Sequence, residues 1–326
     1  MLFLDKHDVR RAYPMEAAVE LMAEAMRRYS AGQVSQPLRT ILRPPTETGL
    51  LGTMPCHVAG DDHAGYGLKA MLLKPENPAR GLDLHIGVVM VFDPDTGEPL
   101  AVMDAGAITA IRTAAVSAVA TGTLAREDAG DLAILGSGVQ GRSHLRAMAV
   151  VRELRRVRVW SRTPAHADAY RRWAAEDLGI EVEVAPDVRT ALAGADLVCT
   201  TTASKEPIVE ADWIAEGCHL NLVGGSFPDA RELSSATVAR GVVFVDSRES
   251  AAAESGDLRA PLAEGLTGPE HVVAEIGEVL LGKHSGRETP EAITMYKSLG
   301  LAVQDTMSGF YVARAAAGLG LGRSGS

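Results

Sequence analysis

Residues 132–141 read LAILGSGVQG, and no other stretch limits the possible folds as severely. Four apolar residues run straight into a glycine turn of the form G-x-G-x-x-G, and the helical pattern GRSHLRAMAVV follows. A strand, a glycine turn and a helix in that order form the first unit of a dinucleotide-binding sheet. Gly136 suits a tight turn, Gly138 lets the backbone approach a pyrophosphate, and Gly141 lets helix pack on strand. The amino end of the helix then faces the phosphates with its unpaired N–H groups.

The rhythm continues past the turn. VRVW, EVEVA, ADLVCTTT, HLNLVG and GVVFVD alternate with helical stretches such as AHADAYRRWAAEDL, as expected for a parallel sheet with helices on both faces. Earlier segments differ. A helix is expected from Pro14 to Ser30, with Gly32 at its exit, followed by short apolar runs broken by Gly and Pro: TILRPP, GLLGTMP, GYGLKAMLL, IGVVMVF and PLAVMD. These read as strands of a mostly antiparallel sheet. DPDTGEP (93–99) between two of them opens like a calcium loop but lacks the rest of one, and reads as a hairpin turn.

The fold class expected is therefore α/β: a Rossmann-type doubly wound parallel sheet (116–302) plus a second α+β domain for substrate and dimerisation (1–115), joined by the C-terminal segment 303–326. A helix over residues 108–125 leads into the parallel part, an apolar helix from about Ala302 to Ala317 returns to the first domain, and the tail GLGLGRSGS is expected to fray.

The second strand of such a unit usually ends in an acid that holds the ribose hydroxyls of NAD. Here the end reads Ser161, Arg162, Thr163. Removing the acid removes its repulsion of a 2′-phosphate, and Arg162 offers a planar fork of donors flanked by two hydroxyls. NADPH is favoured over NADH on this reading. Ser161 and Thr163 also suit the cap of the helix that starts near Pro164.

The bulk numbers exclude several classes. With 326 residues, 46% hydrophobic, 23% charged and a net charge of −10, the chain has globular composition and no basic stripe for nucleic acid or an anionic membrane. Cys56, Cys199 and Cys218 are odd in number and far apart, which suggests neither a disulfide framework nor a metal knuckle and fits a reducing cytoplasm. No leader-like start or uninterrupted membrane-length apolar run is seen, so a soluble cytoplasmic protein is expected.

Several separate stretches together resemble the ornithine cyclodeaminase and mu-crystallin family: QPLRT (36–40), GTMPC (52–56), GLKAM (67–71), DAGAITAIRTAAVSAVAT (104–121), LGSGVQGRSHL (135–145), LVGGSFPDARELS (222–234) and MYKSLGLAVQD (295–305). The resemblance implies a homodimer acting on a small imino or amino acid. It implies Arg39, Lys69, Arg112 and Ser226 for substrate, with Lys69 and Arg112 in catalysis. For the cofactor it implies His85, Arg112, Thr113, Val139, Gln140, Thr201, Thr202, Val223 and Ser298, beside the glycines and the 161–163 triplet. Met54, His57 and Phe227 are expected among the pocket walls, and no metal is expected.

Two arginines suit a substrate carboxylate, and a buried lysine with a lowered pKa suits proton donation. Cyclodeaminases of the family carry an aspartate after the glycines of the VGG segment, where this chain has Ser226, and GGSFPDARE and SRT resemble the mu-crystallin branch. The expected activity is reduction of a cyclic ketimine acid such as Δ1-pyrroline-2-carboxylate or Δ1-piperideine-2-carboxylate. Alternatives are ornithine or lysine cyclodeamination, alanine dehydrogenation, or a cofactor-bound binding protein without turnover.

Overall fold

The computed structural model describes residues 1–60 and 63–325. Contacts divide the chain into two compact units, residues 1–112 with 300–326, and residues 113–299. The boundaries expected after residue 115 and before residue 303 fall a few residues C-terminal of these.

In the first unit, β1 (Leu2–Leu4), β2 (Val34–Ser35), β3 (Thr40–Leu42), β4 (Leu50–Val58), β5 (Gly65–Leu73), β6 (His85–Phe92) and β7 (Pro99–Asp104) form one sheet. From β2 through β7 its neighbours are antiparallel, and β1 runs parallel to β7. The β6–β7 connection is a turn. Asp93 accepts the Asp95 and Thr96 N–H groups at 3.0 and 2.8 Å, and Gly97 has φ +76°.

One face of this sheet is covered by the helix Ala302–Gly318. Side chains alternate along a strand, so Cys56, Val89, Val91, Ala101 and Met103 point to the covered side and are buried. The helix comes close because the sheet supplies a glycine beneath it: a Cβ on Gly67 would lie 2.4 Å from Thr306 Oγ1. Met15–Ser30 packs beside it, burying Met22 and Met26. Pro14 caps that helix from outside, which shifts its start by one residue from the expected position.

The tail does not fray through its described residues. Arg323–Ser324 pairs antiparallel with β1, Gly325 N–H donates to the Met1 carbonyl at 3.0 Å, and Leu321 is buried. Gly320 and Gly322, both at positive φ, turn the chain back so that this pairing forms. Ser326 lies outside the described residues.

Ala105–Leu124 carries the chain from the first unit to the second. Asp104 accepts Ala107 N–H at 2.7 Å and opens the helix a few residues before the expected start. By length and composition it is apolar enough to cross a membrane, but it is mostly buried.

The second unit holds an all-parallel sheet of β8 (Asp131–Leu135), β9 (Arg156–Trp160), β10 (Glu183–Val184), β11 (Leu197–Thr200), β12 (His219–Leu222), β13 (Val242–Val245), β14 (Val272–Glu275) and β15 (Thr294–Lys297). Their order is β10-β9-β8-β11-β12-β15-β13-β14. The sheet therefore winds outward in both directions from β8 and β11, the arrangement expected of a doubly wound dinucleotide fold. Strands buried on both faces read as continuous apolar runs, as Leu132, Ala133, Ile134 and Leu135 do.

Candidate active site

In the first unit, Lys69 stands on β5 opposite Met54 and Val89, on the helix-covered face. Its Nζ donates to both carboxylate oxygens of Asp305, each at 3.2 Å. Arg112 Nε donates to Asp305 Oδ1 at 3.1 Å and Nη1 to Gln304 Oε1 at 2.7 Å. Arg39 Nη2 reaches the Gly300 carbonyl at 3.1 Å, and Gln36 Oε1 accepts Val303 N–H at 2.8 Å. A Cβ on Gly300, at φ +84°, would fall 2.5 Å from Arg112 Nη1, so the turn into the helix leaves room for the guanidinium only because it lacks a side chain.

Lys69, Arg112 and Asp305 are all buried. Burial, the largest influence, lowers the Lys69 pKa to about 8; Asp305 opposes this, while Arg112 and Arg39 add to it. Lys69 and Arg112 thus share one carboxylate, and Arg39 adds a third positive charge near enough to be felt by the lysine, a local excess of positive charge that favours an anion. His85, the first residue of β6, is exposed, yet its imidazole is held below the ordinary range by desolvation first and then by Lys69. Asp305 and Gln304 were not among the sequence-derived site residues. Their signal was present, as the polar pair closing AVQD in an otherwise apolar run.

His57 departs from expectation. In β4 it pairs with Tyr66, ring centroids 4.6 Å apart, on the sheet face opposite Lys69. Met54 and His57 are three apart in a strand, an odd spacing that sends them to opposite sides. Only Met54 shares the lysine's face.

In the second unit the glycine turn fits a dinucleotide. Gly136 has φ +110° and its N–H donates to the Trp160 carbonyl at 2.8 Å. A Cβ on Gly141 would lie 2.1 Å from the Gly136 carbonyl oxygen, whereas one on Gly138 would meet nothing within 4 Å. The first contact enforces close helix packing; the open space leaves a path for a ligand to the backbone. Gly138 is also the N-cap of Val139–Val151 and gives no side-chain cap, so the first-turn N–H groups of this 13-residue helix keep their capacity for phosphate. Val139 is exposed at this turn.

Ser161 Oγ lies 3.0 Å from Ser137 Oγ, linking the end of β9 to the glycine turn. Arg162 and Thr163 are exposed. Thr163 occupies the N-cap position of Pro164–Leu178, but its side chain makes no capping hydrogen bond, contrary to a purely structural reading of that hydroxyl.

Thr201 Oγ1 donates to the Leu135 and Gly136 carbonyls at 3.0 and 3.2 Å. Thr202 donates from N and Oγ1 to Glu232 Oε1 at 2.7 and 2.6 Å, and Val223 N–H donates to the Thr200 carbonyl at 3.0 Å. Glu232 is raised to about 6, first by burial and second by Asp257. Ser298 is buried, its hydroxyl without a hydrogen bond among the described residues. Ser226 and Phe227 are half-buried in the loop after β12, and Thr113 is buried in the helix Ala105–Leu124.

The fold and these two sets of residues define a class: an α/β protein with a dinucleotide-binding sheet in one unit and a cation-rich cluster in the other. The family model for the ornithine cyclodeaminase/mu-crystallin family matches residues 1–318, and the chain belongs to that family. A Δ1-pyrroline-2-carboxylate reductase of Bacillus cereus is 35% identical over 99% of this chain and 98% of its own. The ketimine reductase mu-crystallin of Mus musculus is 38% identical over 90% and 88%. Among solved structures, the Thermococcus litoralis Δ1-pyrroline-2-carboxylate reductase in complex with NADH and L-proline aligns with a TM-score of 0.96, at 36% identity over 99% of this chain and 100% of that one. An archaeal alanine dehydrogenase dimer with bound NAD aligns at 0.92, with 33% identity over 99% and 98%.

Proposed function

We propose that this protein reduces a cyclic imino acid to the corresponding cyclic amino acid with a nicotinamide cofactor, preferring NADPH, as a cytoplasmic homodimer. The observation that carries the chemistry is the buried Lys69 held by Asp305 beside Arg112 and Arg39. Relatives of this chain reduce Δ1-pyrroline-2-carboxylate and ketimines, and one binds NADH and L-proline.

When bound, the nicotinamide supplies a hydride for the imine carbon. The protein's part is orientation and a proton. Arg112, its Nε and Nη1 fixed by Asp305 and Gln304, and Arg39 at the Gly300 carbonyl hold the substrate carboxylate through charge-assisted hydrogen bonds. Fixing that carboxylate orients the imine carbon, and ideal orientation of this kind lowers a barrier by about 7 kcal/mol or more. Lys69 at about 8 is protonated at neutral pH and gives its proton to the imine nitrogen, while Asp305 stabilises the ammonium until transfer. No carboxylate is required to direct water at carbon, consistent with Ser226 where the cyclodeaminases have aspartate.

The NADPH preference rests on Arg162 and Thr163, both exposed, with Arg162 making no hydrogen bond or ion pair among the described residues. The relative with NADH bound makes this a point to measure directly. The cytoplasmic assignment rests on three buried free thiols, a pattern of reducing compartments.

The homodimer is supported by the sheet face opposite Lys69. Register aligns Leu42, Leu51, Leu72 and Ile86 in one row and Ala70 with Val88 in the next. Leu42, Tyr66, Leu72, Ile86, Val88 and Leu100 are exposed. A contiguous apolar face of this kind marks an interface, and a second copy of the same face satisfies it by twofold symmetry. The alanine dehydrogenase relative is a dimer.

The direct test is turnover: purified protein with Δ1-pyrroline-2-carboxylate oxidises NADPH and forms proline in equal amounts. Absence of turnover with both five- and six-membered cyclic imino acids, under either cofactor, rejects the proposal.

A further inference from the structure

Three ionisable side chains of the second unit are fully buried and unused by the chemistry above. Glu232, Asp257 and Lys297 are each 0–1% exposed. Lys297 Nζ lies 2.9 Å from Asp257 Oδ2 and also donates to the Gly224 carbonyl. Asp257 Oδ1 accepts the Glu232 and Leu233 N–H groups at 2.8 and 3.1 Å. Glu232 Oε1 accepts both Thr202 donors.

Two glycines are pressed against these carboxylates. A Cβ on Gly224 would lie 2.4 Å from Glu232 Oε2, and one on Gly225, at φ +60°, 2.7 Å from Asp257 Oδ2. The bonds from this set to backbone fall in two places: the segment leaving β11 at Thr202, and the loop leaving β12 at Gly224, Glu232 and Leu233. Lys297 itself ends β15.

Stability alone does not account for such a set, because replacing a buried ion pair by apolar groups of similar volume is often neutral or stabilising. Its place in the sheet suggests another use. In a doubly wound sheet the dinucleotide lies across the carboxyl ends of the strands at the switch point. The turn after β8 and the Ser161–Arg162–Thr163 end of β9 take the pyrophosphate and adenosine half. The ends of β11, β12 and β15 are left for the nicotinamide half, and these are the ends the three charges hold.

Resting on the reading that this unit binds a nicotinamide dinucleotide, we infer that Glu232, Asp257 and Lys297 are positioning residues that fix Thr202 and the Gly224–Gly225 backbone to receive the nicotinamide end of the cofactor. They touch neither substrate nor reacting atoms; they act through the segments they hold. Glu232 is the most direct of the three, since its carboxylate both anchors Thr202 and backs Gly224.

The test compares binding of NADH with binding of ADP-ribose, which lacks the nicotinamide, by titration of the full-length protein without imine. Losing the charge-assisted bonds to Thr202 in Glu232→Ala weakens NADH about 10-fold or more, while ADP-ribose changes by less than about 2-fold. Glu232→Gln, which keeps an acceptor for Thr202, restores NADH binding to within about 3-fold of the parent. Equal weakening of both ligands, or unchanged NADH affinity, overturns the inference. If Glu232→Ala does not fold, Thr202→Val removes the hydroxyl bond to Glu232, together with the Ser204 N–H bond to that hydroxyl, keeps the backbone bond to Glu232, and must still weaken NADH selectively; no selective loss overturns it. Because binding is read without imine, failure of the parent protein to reduce imines defeats the reductase reading and leaves this result standing.

Discussion

Lys69 and Asp305, 236 positions apart in the chain, meet with the ammonium 3.2 Å from both carboxylate oxygens, and both side chains are buried. The pair sits where β5 lies under the helix Ala302–Gly318, and Arg112 competes for the same carboxylate at 3.1 Å. The result is a lysine less basic than usual yet still charged at neutral pH.

Activity therefore depends on pH in a stated direction. Reduction needs the lysine's proton, so kcat falls as pH rises through about 8. Stability moves the other way: the folded pKa lies below the ordinary 10.5, so the unfolded chain binds more protons between the two values and this group's contribution to stability rises across that window. Below about 8 its cost is present in full. Lys69→Met should lower kcat by about 100-fold or more and abolish the alkaline limb, with NADPH affinity unchanged. A pH–rate profile of both proteins checks this, and retention of the limb in Lys69→Met assigns the proton to another group.

Arg162 should separate the two nicotinamides. Replacing it with alanine removes charge-assisted donors worth about 1.5 to 3 kcal/mol each, so NADPH affinity falls by roughly 10-fold or more while NADH changes little. Isothermal titration with both cofactors decides it, and equal losses reject the phosphate role.

The glycine turn offers a paired contrast. Gly141→Ala drives a methyl against the Gly136 carbonyl and should lower the melting temperature. Gly138→Ala meets no protein atom within 4 Å and should melt as the parent does while losing dinucleotide affinity. Thermal melts with and without NADPH distinguish them.

The exposed sheet face predicts assembly. Leu72→Glu or Ile86→Glu places a carboxylate in the middle of an apolar row and should convert dimer to monomer in sedimentation, each residue being nearly half exposed within one chain at 45% and 46%. A parent protein that sediments as a monomer contradicts the dimer outright.

Local signals were legible in the sequence and distant ones were not. The glycine turn, the helix it opens and the apolar strands β8, β9, β11 and β12 follow from spacing and composition within a few residues. β15 was not recognised as a strand, because Thr294, Tyr296 and Lys297 look polar. Their burial depends on lying between β12 and β13, and the Lys297 charge is met by Asp257 from another part of the chain. Asp305 escaped notice for the same reason: its partners Lys69 and Arg112 are remote in sequence. The C-terminal pairing of Arg323–Ser324 with β1 left no apolar signature because both residues are exposed. His57 was misassigned despite a readable cue, since strand alternation already puts it on the side away from Lys69.

Hydride delivery to an imine carbon is the central step of the proposed reaction, and isotope transfer tests it most directly. With Δ1-pyrroline-2-carboxylate and NADPH deuterated at the transferable C4 position, proline formed by the enzyme should carry one deuterium at its α carbon by mass spectrometry and NMR. Proline without that label, or no proline at all, contradicts the assignment.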